Sequence, residues 1–175
     1  EMSISKKTLY QYVSNKTDLV RLFLEFDTNE TIQLIEDAIK SSKNAIDDLL
    51  NTSIEISKTF KNFNPSITFD LQKYYPELYK EFFMKRREYV FEMVKNNLKK
   101  GVDEGLYRDD QNIDLVASLY VKKLEDMHDP EFLTSQNFSF DTVFRVMFDN
   151  HIRGISNQKG IEYYEKKKKS LNINF

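Results

Sequence analysis

The segment from Lys16 to Ile39 has helical periodicity, and its apolar residues form two stripes that point in nearly opposite directions. At 100° per residue, the stripe in the first half of this segment and the stripe in its second half lie on nearly opposite sides of the helix. The stripes are Leu19, Leu22, Phe23 and Phe26, then Ile32, Ile35 and Ile39. Because a helix buries its apolar face, two opposed faces must pack against two different bodies. The segment is therefore predicted to be a helix that connects two parts of the molecule.

The rest of the chain also favours helices over strands. Glycine and proline, which punctuate folds built from short strands, number only 4 and 3 among 175 residues. Apolar residues recur at helical spacing in six further segments: 43–62, 66–74, 76–104, 112–126, 140–155 and 158–169. Pro76 suits the first position of a helix, where its missing N–H is not needed. The sequence thus predicts an all-α fold in which a connector helix leads into a helical bundle.

Composition excludes several classes of protein. The chain has no Cys, so a disulfide framework, a zinc–thiolate site and a thiol nucleophile are all excluded. No apolar run is long enough to cross a bilayer, and the given sequence does not open with the apolar region of a signal peptide. The sequence also lacks a Ser/His/Asp set, a phosphate-binding loop and a nucleotide fingerprint. We expect a cytoplasmic protein that is not an enzyme and that uses no cofactor, metal or membrane.

The first 21 residues differ from the rest in charge and in pattern. They carry a formal charge of +2, whereas the remaining residues carry −4. A short helix is predicted to begin at Ser5, whose hydroxyl can cap the first turn, with Leu9 and Val13 on one face. Asn15, with Asp18 three residues later, is a start signal for the connector helix. A basic tip on an acidic body suits DNA binding through one end of the molecule.

Residues 3–20 read Ser-Ile-Ser-Lys-Lys-Thr-Leu-Tyr-Gln-Tyr-Val-Ser-Asn-Lys-Thr-Asp-Leu-Val. This segment resembles the recognition-helix signature of TetR-type transcriptional regulators. That signature has a small turn, then Ser-x-x-Thr-Leu-Tyr-x-Tyr-Phe, then a Lys that opens the next helix. Val13 stands where the family usually has Phe, a change on the buried side of the helix that we expect to leave DNA contact unaffected.

The resemblance implies which residues meet operator DNA. The expected set is Ser5, Lys6, Lys7, Thr8, Tyr10, Gln11, Tyr12 and Lys16. Thr8, Tyr10 and Tyr12 would lie against the DNA backbone and groove, while Lys6, Lys7 and Gln11 would reach base edges. Lys16 sits at a helix N-terminus, where N–H groups and the helix dipole already attract phosphate. A competing interpretation makes Tyr10 and Tyr12 packing residues and the lysines merely solvated; the full motif and the two-striped helix weigh against it.

The same resemblance divides the chain into two parts. Residues 1–20 correspond to the C-terminal part of a helix-turn-helix domain, and residues 21–175 to a ligand-binding and dimerisation domain. The sequence begins at Glu1, inside an apparent helical element, without the first helix and most of the second helix of that domain. We therefore expect an N-terminal truncation. The fragment itself, whose short recognition helix has lost its support, is expected not to bind an operator specifically, in contrast to its full-length parent.

Aromatic residues crowd into the segments where TetR-type proteins keep their effector cavity. A concave, mostly apolar site between bundle helices suits a small aromatic or amphipathic molecule, although such stripes are more often core than pocket. The expected lining residues are Phe60, Phe69, Tyr74, Tyr89, Met93 and Tyr120. The resemblance favours a repressor that such an effector releases from DNA.

Helices 112–126 and 140–155 carry more apolar surface than we expect a single chain to bury. The loop before them, residues 105–110, resembles the loop that precedes the dimerisation helices of TetR-type proteins. We therefore predict a homodimer in which both helices pair with their two-fold mates in a four-helix bundle. The expected interface residues are Leu115, Leu119, Phe144, Met147, Phe148, His151 and Ile152.

Other constellations support competing interpretations. Glu125 and His128 have the Glu-x-x-His spacing of carboxylate-bridged metal bundles, so a metal or redox bundle protein is the main alternative. Because no second copy of that pair is present, an ordinary surface pair is the simpler explanation. A purely structural helical module would account for the bundle but not for the N-terminal motif. The pair Asp47 and Asp48 is interpreted as solvated surface, and the lysine run 166–169 as a solvated helix end rather than a DNA or membrane contact.

Overall fold

The structure, a computed structural model, describes Thr8 and residues 10–60, 65–127 and 139–171; the side chains of Phe60, Pro65 and Phe140 are not part of the description. These residues form seven α-helices. They are α1 (Lys16–Lys40), α2 (Ala45–Phe60), α3 (Pro65–Tyr74), α4 (Pro76–Asp103), α5 (Ile113–Asp126), α6 (Phe140–Ile155) and α7 (Gln158–Ser170). The all-α fold class is confirmed, with bounds close to the predicted segments. Among the described helices, none combines the length and apolarity that a membrane crossing requires.

Side-chain caps determine where most of these helices begin. The Asn15 side chain accepts a hydrogen bond from the N–H of Asp18 at 2.9 Å, as its spacing predicts. Asn112, Ser139 and Asn157 each accept from the N–H three residues further on, at the starts of α5, α6 and α7. Each cap satisfies a backbone donor that has no partner within its helix.

The chain reverses sharply where α4 ends. Gly105 adopts a φ of 65°, a left-handed conformation that glycine accommodates without strain. The ring of Tyr107 then packs directly against Gly101, where a β-carbon would collide with it. Its hydroxyl donates to Asn97 Oδ1 at 3.1 Å, and the Asn97 amide donates to a carbonyl at the start of α2. This buried network locks the end of α4 onto α2.

The core lies around α2, which packs against α1, α4 and α6. Its first turns bury Ala45, Ile46, Leu49 and Leu50. The rest of the core cluster is Val94, Leu98, Leu106, Tyr107, Ala117, Tyr120, Met127, Phe144, Met147, Phe148, Ile152, Ile155 and Tyr164. Because so many elements meet on α2, the helix is enclosed by the rest of the bundle.

Enclosure of α2 also buries two carboxylates. Asp47 and Asp48 are only 4% and 5% exposed, so the interpretation of this pair as solvated surface is wrong. Asp47 accepts from the Tyr163 hydroxyl at 3.0 Å and pairs with Lys167 at 3.1 Å, while Asp48 pairs with Lys100 at 2.7 Å. These partners come from α7 and α4, far away in the sequence. Buried charges of this kind persist because each is paired and hydrogen-bonded.

A second ionic cluster joins α6 to α7. Asp149 accepts hydrogen bonds from Tyr164 at 2.8 Å, from Arg153 at 2.7 Å and from Lys168 at 2.9 Å. Burial by itself would raise the pKa of Asp149, but these hydrogen bonds outweigh it and hold the pKa at about 2. Two members of the C-terminal lysine run, Lys167 and Lys168, therefore belong to the internal structure and not to a solvated helix end.

The two halves of α1 have different surroundings. In the second half, Ile35 and Ala38 are buried against α2, as the second stripe predicts. In the first half, Leu22, Phe23 and Phe26 are exposed within the described part of the chain. The opposed stripes are thus present, and only the second one packs on the bundle.

Candidate DNA-contact end and effector cavity

The segment before α1 presents polar and aromatic side chains outward. Thr8 and Gln11 are exposed, and Tyr10 and Tyr12 are 51% and 80% exposed. Among the described residues of this segment, Val13 is the one that turns inward, with 6% exposure, as expected for the position where it replaces Phe. The exposure of the two tyrosines argues against the interpretation that they are packing residues.

Lys16 begins α1 and is exposed beside the Asn15 cap. Its position at the helix N-terminus is the one that favours phosphate binding. The remaining predicted DNA contacts, Ser5, Lys6 and Lys7, lie outside the described residues.

The first half of α1 is tied to α4 by charge. Arg21 donates to Glu81 at 2.8 Å, and Lys85 approaches the same carboxylate at 2.9 Å. Hydrogen bonds from Lys85 and Arg21 lower the pKa of Glu81, so it is ionised at neutral pH. Further along, Asp27 of α1 interacts electrostatically with Arg86 of α4. A displacement of this part of α4 would therefore act on the first half of α1.

A cavity of about 120 Å³ lies between α3, α4 and α5. Its lining is Thr68, Tyr79, Phe83, Arg86, Arg87, Val90, Val121, Leu124 and Glu125. Tyr79 and Phe83 stack with ring centroids 5.5 Å apart and form an aromatic wall. The cavity thus lies between three helices, and α4 supplies most of its lining.

The aromatic residues predicted to line a cavity lie elsewhere. Phe69 and Tyr74 are exposed on α3, and Tyr89 and Met93 are half-buried on α4 without bordering the cavity; the side chain of Phe60 is not described. Aromatic density in the sequence therefore does not identify the lining of this cavity. The α4 residues that border it lie on one helical stripe, which the sequence contains: Tyr79, Phe83, Arg86, Arg87 and Val90.

Tyr120, the sixth residue expected in the lining, is buried and packs on His151, with ring centroids 4.3 Å apart. The imidazole Nε2 is buried and has no hydrogen-bond partner within the described part of the chain. Burial, with a smaller contribution from Lys123, lowers the pKa of His151 to about 4. His151 is therefore a neutral residue between α5 and α6 at physiological pH.

Glu125 borders the cavity, and its described neighbours are two basic side chains. Its carboxylate lies 3.3 Å from Arg87 Nε and 3.8 Å from Lys122 Nζ, and His128 lies outside the described residues. Within the described ranges, no group of three His, Asp or Glu side chains is arranged to hold a metal ion. The alternative of a metal or redox bundle is not favoured.

The structure divides the seven expected dimer residues into three groups. Four of them, all on α6, lie in the core of the single chain: Phe144, Met147, Phe148 and Ile152. Helix α6, which was expected to meet a second chain, packs on α2. His151 is partly buried against Tyr120, whereas Leu115 and Leu119 of α5 are exposed. Val146 of α6, which was not among the predicted residues, is also exposed.

Comparisons with known proteins connect this architecture to gene regulation. No family model matches the sequence. The chain is 25% identical over 158 residues to the uncharacterised HTH-type transcriptional regulator YvaF of Bacillus subtilis (strain 168), a match that covers 89% of this chain and 81% of that protein. The ketosteroid transcriptional regulator KstR2 of Mycobacterium tuberculosis superimposes with a TM-score of 0.58 at 16% identity, over 89% of this chain and 80% of that one. The chain shares the fold of this regulator.

Proposed function

We propose that this chain is a DNA-binding transcriptional regulator, a repressor that a small apolar or aromatic effector releases from its operator. The observation that carries the proposal is the direct connection between the exposed N-terminal segment, α1 and the cavity. The described segment before α1 presents Tyr10 and Tyr12 outward and leads directly into α1, which begins at the exposed Lys16. The helix α1 is in turn ion-paired to α4, the helix that lines most of the cavity. The two relatives described above are both named as transcriptional regulators, and YvaF as an HTH-type regulator, which supports the same conclusion.

The proposed signal passes from the cavity through α4 to α1. A ligand between α3, α4 and α5 would favour one position of α4 over another, because it binds the two arrangements with different affinity. The Arg21–Glu81 pair and the attraction between Asp27 and Arg86 would transmit that displacement to α1. A shift of α1 changes the distance between two DNA-contact ends in a dimer, and so changes the fit to an operator.

The proposed dimer uses the exposed faces of α5 and α6. Leu115, Leu119 and Val146 are large apolar residues on these faces, and a groove of about 510 Å³ between the two helices is bordered by Val143 and Val146. A self-complementary face of this kind forms a closed two-fold contact. Light scattering at micromolar concentration should give twice the chain mass of 20.9 kDa. A monomer under these conditions would contradict the assembly.

DNA binding is tested with the full-length parent protein, which is used to select duplexes from a random pool. A labelled duplex of the selected sequence is then titrated at two salt concentrations. Tyr10→Ala and Lys16→Ala should each weaken binding to all sequences and reduce the salt slope by about 1, since both are proposed to contact phosphate. Gln11→Ala or Lys7→Ala should instead change base preference, by about 1–3 kcal/mol for each lost bidentate contact. A protein that enriches no duplex sequence would refute the proposed function.

A further inference from the structure

Glu125 places a buried acceptor at the cavity wall. Its side chain is 16% exposed, and its Oε1 atom is fully buried without a hydrogen-bond partner among the described residues. Arg87 Nε lies 3.3 Å from that oxygen but is not aligned as a donor, and Lys122 approaches the other oxygen only to 3.8 Å. A buried acceptor with no donor is costly, and a ligand that donates to it recovers that loss.

The cavity has the size and the walls of a single-ring site. Its volume of about 120 Å³ is close to that of an engineered apolar cavity of roughly 150 Å³ that holds benzene. Tyr79 and Phe83 form one wall, and Val90, Val121 and Leu124 supply apolar surface. A four-ring steroid nucleus is too large for this space. The volume therefore selects one aromatic ring with a small substituent.

The charges around the cavity indicate which substituent on the ligand ring is favoured. Arg86, Arg87 and Glu125 are the charged lining residues and give the lining a formal charge of +1. A cationic ligand is disfavoured by the two guanidinium groups, whereas an anionic group placed at Glu125 would meet another negative charge. A neutral O–H group at this position supplies the missing donor without adding charge.

We propose that this cavity recognises a neutral monocyclic phenol, whose hydroxyl donates a hydrogen bond to Glu125 Oε1 and whose ring packs against Tyr79 and Phe83. The proposal rests on the ligand-responsive function proposed above and names the effector class for that site. It assigns Glu125 a role in ligand selection.

The test compares four probes of similar size by calorimetry and ligand-observed NMR: phenol, toluene, benzoate and benzylamine. Phenol should bind at least about tenfold more tightly than toluene, because a hydrogen bond to a charged group contributes that much or more. Benzoate and benzylamine should both bind more weakly than phenol. In Glu125→Leu the phenol and toluene affinities should become equal within about twofold. Glu92→Leu, a matched change at an exposed glutamate of α4 away from the cavity, should leave the ratio unchanged.

Each other outcome contradicts the proposal. Equal affinities of phenol and toluene for the unmodified protein would show that the phenol hydroxyl makes no favourable hydrogen bond to Glu125. This comparison does not depend on whether a variant folds. Tighter binding of benzylamine or benzoate than of phenol would contradict the choice of a neutral ligand. If none of the four probes binds, the cavity is not a site for monocyclic aromatic ligands. Operator titrations separate the two proposals. Selective DNA binding without phenol binding would support the regulator function and contradict the phenol site. Phenol binding without selective DNA binding would support the phenol site and contradict the regulator function.

Discussion

Replacing His151 should change how the stability of the protein depends on pH. Burial, together with Lys123, lowers the pKa of this residue from 6.5 to about 4. Its ring is packed on Tyr120, and none of the described residues gives its buried Nε2 a hydrogen-bond partner that would stabilise a proton. The unfolded chain therefore takes up a proton at a higher pH than the native protein. The contribution of His151 to stability is complete above pH 6.5 and is lost as the pH falls towards 4.

The size of the effect follows from the two pKa values. At pH 7 the imidazole is mostly neutral in both states, so the linkage contributes almost nothing to the difference. At pH 5 it is protonated in the unfolded chain and still neutral in the native protein, so we expect a loss of about 2 kcal/mol of unfolding free energy between pH 7 and pH 5. His151→Gln, a neutral residue of similar size, should abolish this component.

Urea unfolding at a fixed protein concentration, measured at pH 7 and at pH 5, tests the prediction. The quantity that matters is the pH-dependent change in the original protein minus that in His151→Gln, because the other titrating groups are common to both. A difference of about 2 kcal/mol is expected. Equal pH dependence in the two proteins, or a larger loss in the variant, would show that His151 is not held neutral in the fold.

Four further substitutions test three other features. Gly101→Ala should destabilise the protein by about 1–3 kcal/mol because its β-carbon would collide with the Tyr107 ring, whereas Gly154→Ala, a helical position with open space, should stabilise it by about 0.5–1 kcal/mol. Asp149→Asn should cost about 2 kcal/mol at pH 7, and this cost should fall as the pH is lowered from 3.8 towards 2, since the native pKa is about 2. Leu119→Arg should yield a monomer with unchanged helical content, because the side chain is exposed within one chain.

Thermal and urea unfolding measure the first two effects, and light scattering with circular dichroism measures the third. Equal stabilities of the two alanine variants would contradict the close packing at Gly101. A cost at Asp149 that persists undiminished at pH 2 would mean that the ionised carboxylate is not the stabilising species. A Leu119→Arg protein that remains dimeric would move the proposed interface to another face.

Helix boundaries were predictable because they depend on residues close together in the sequence. Asn15 caps α1 through an N–H only three residues away, and Pro76 begins α4 because its ring suits the first turn. The connector helix was also predictable, since its opposed stripes are a property of one continuous segment. Local chemistry determines these features, and tertiary contacts did not override it.

Features that depend on distant partners were not predictable in the same way. Asp47 looks like a surface residue until α7 brings Lys167 beside it. On α6, periodicity identifies an apolar face but not whether α2 or a second chain will cover it, so Phe148 was assigned to an interface although it lies in the core. The cavity depends on how α3, α4 and α5 diverge, which residue types alone do not determine.

The pairing of Asp47 with α7 has a consequence for the order of events during synthesis. Its two partners, Tyr163 and Lys167, follow it by 116 and 120 residues. A ribosome releases the N-terminal segments first, at about 5–20 residues per second, so α2 emerges several seconds before its countercharge. During that interval the buried position of Asp47 has no cation from α7, and an unpaired buried charge is strongly unfavourable. We therefore expect the first turn of α2 to keep Asp47 exposed to solvent until α7 has left the ribosome and can cover it.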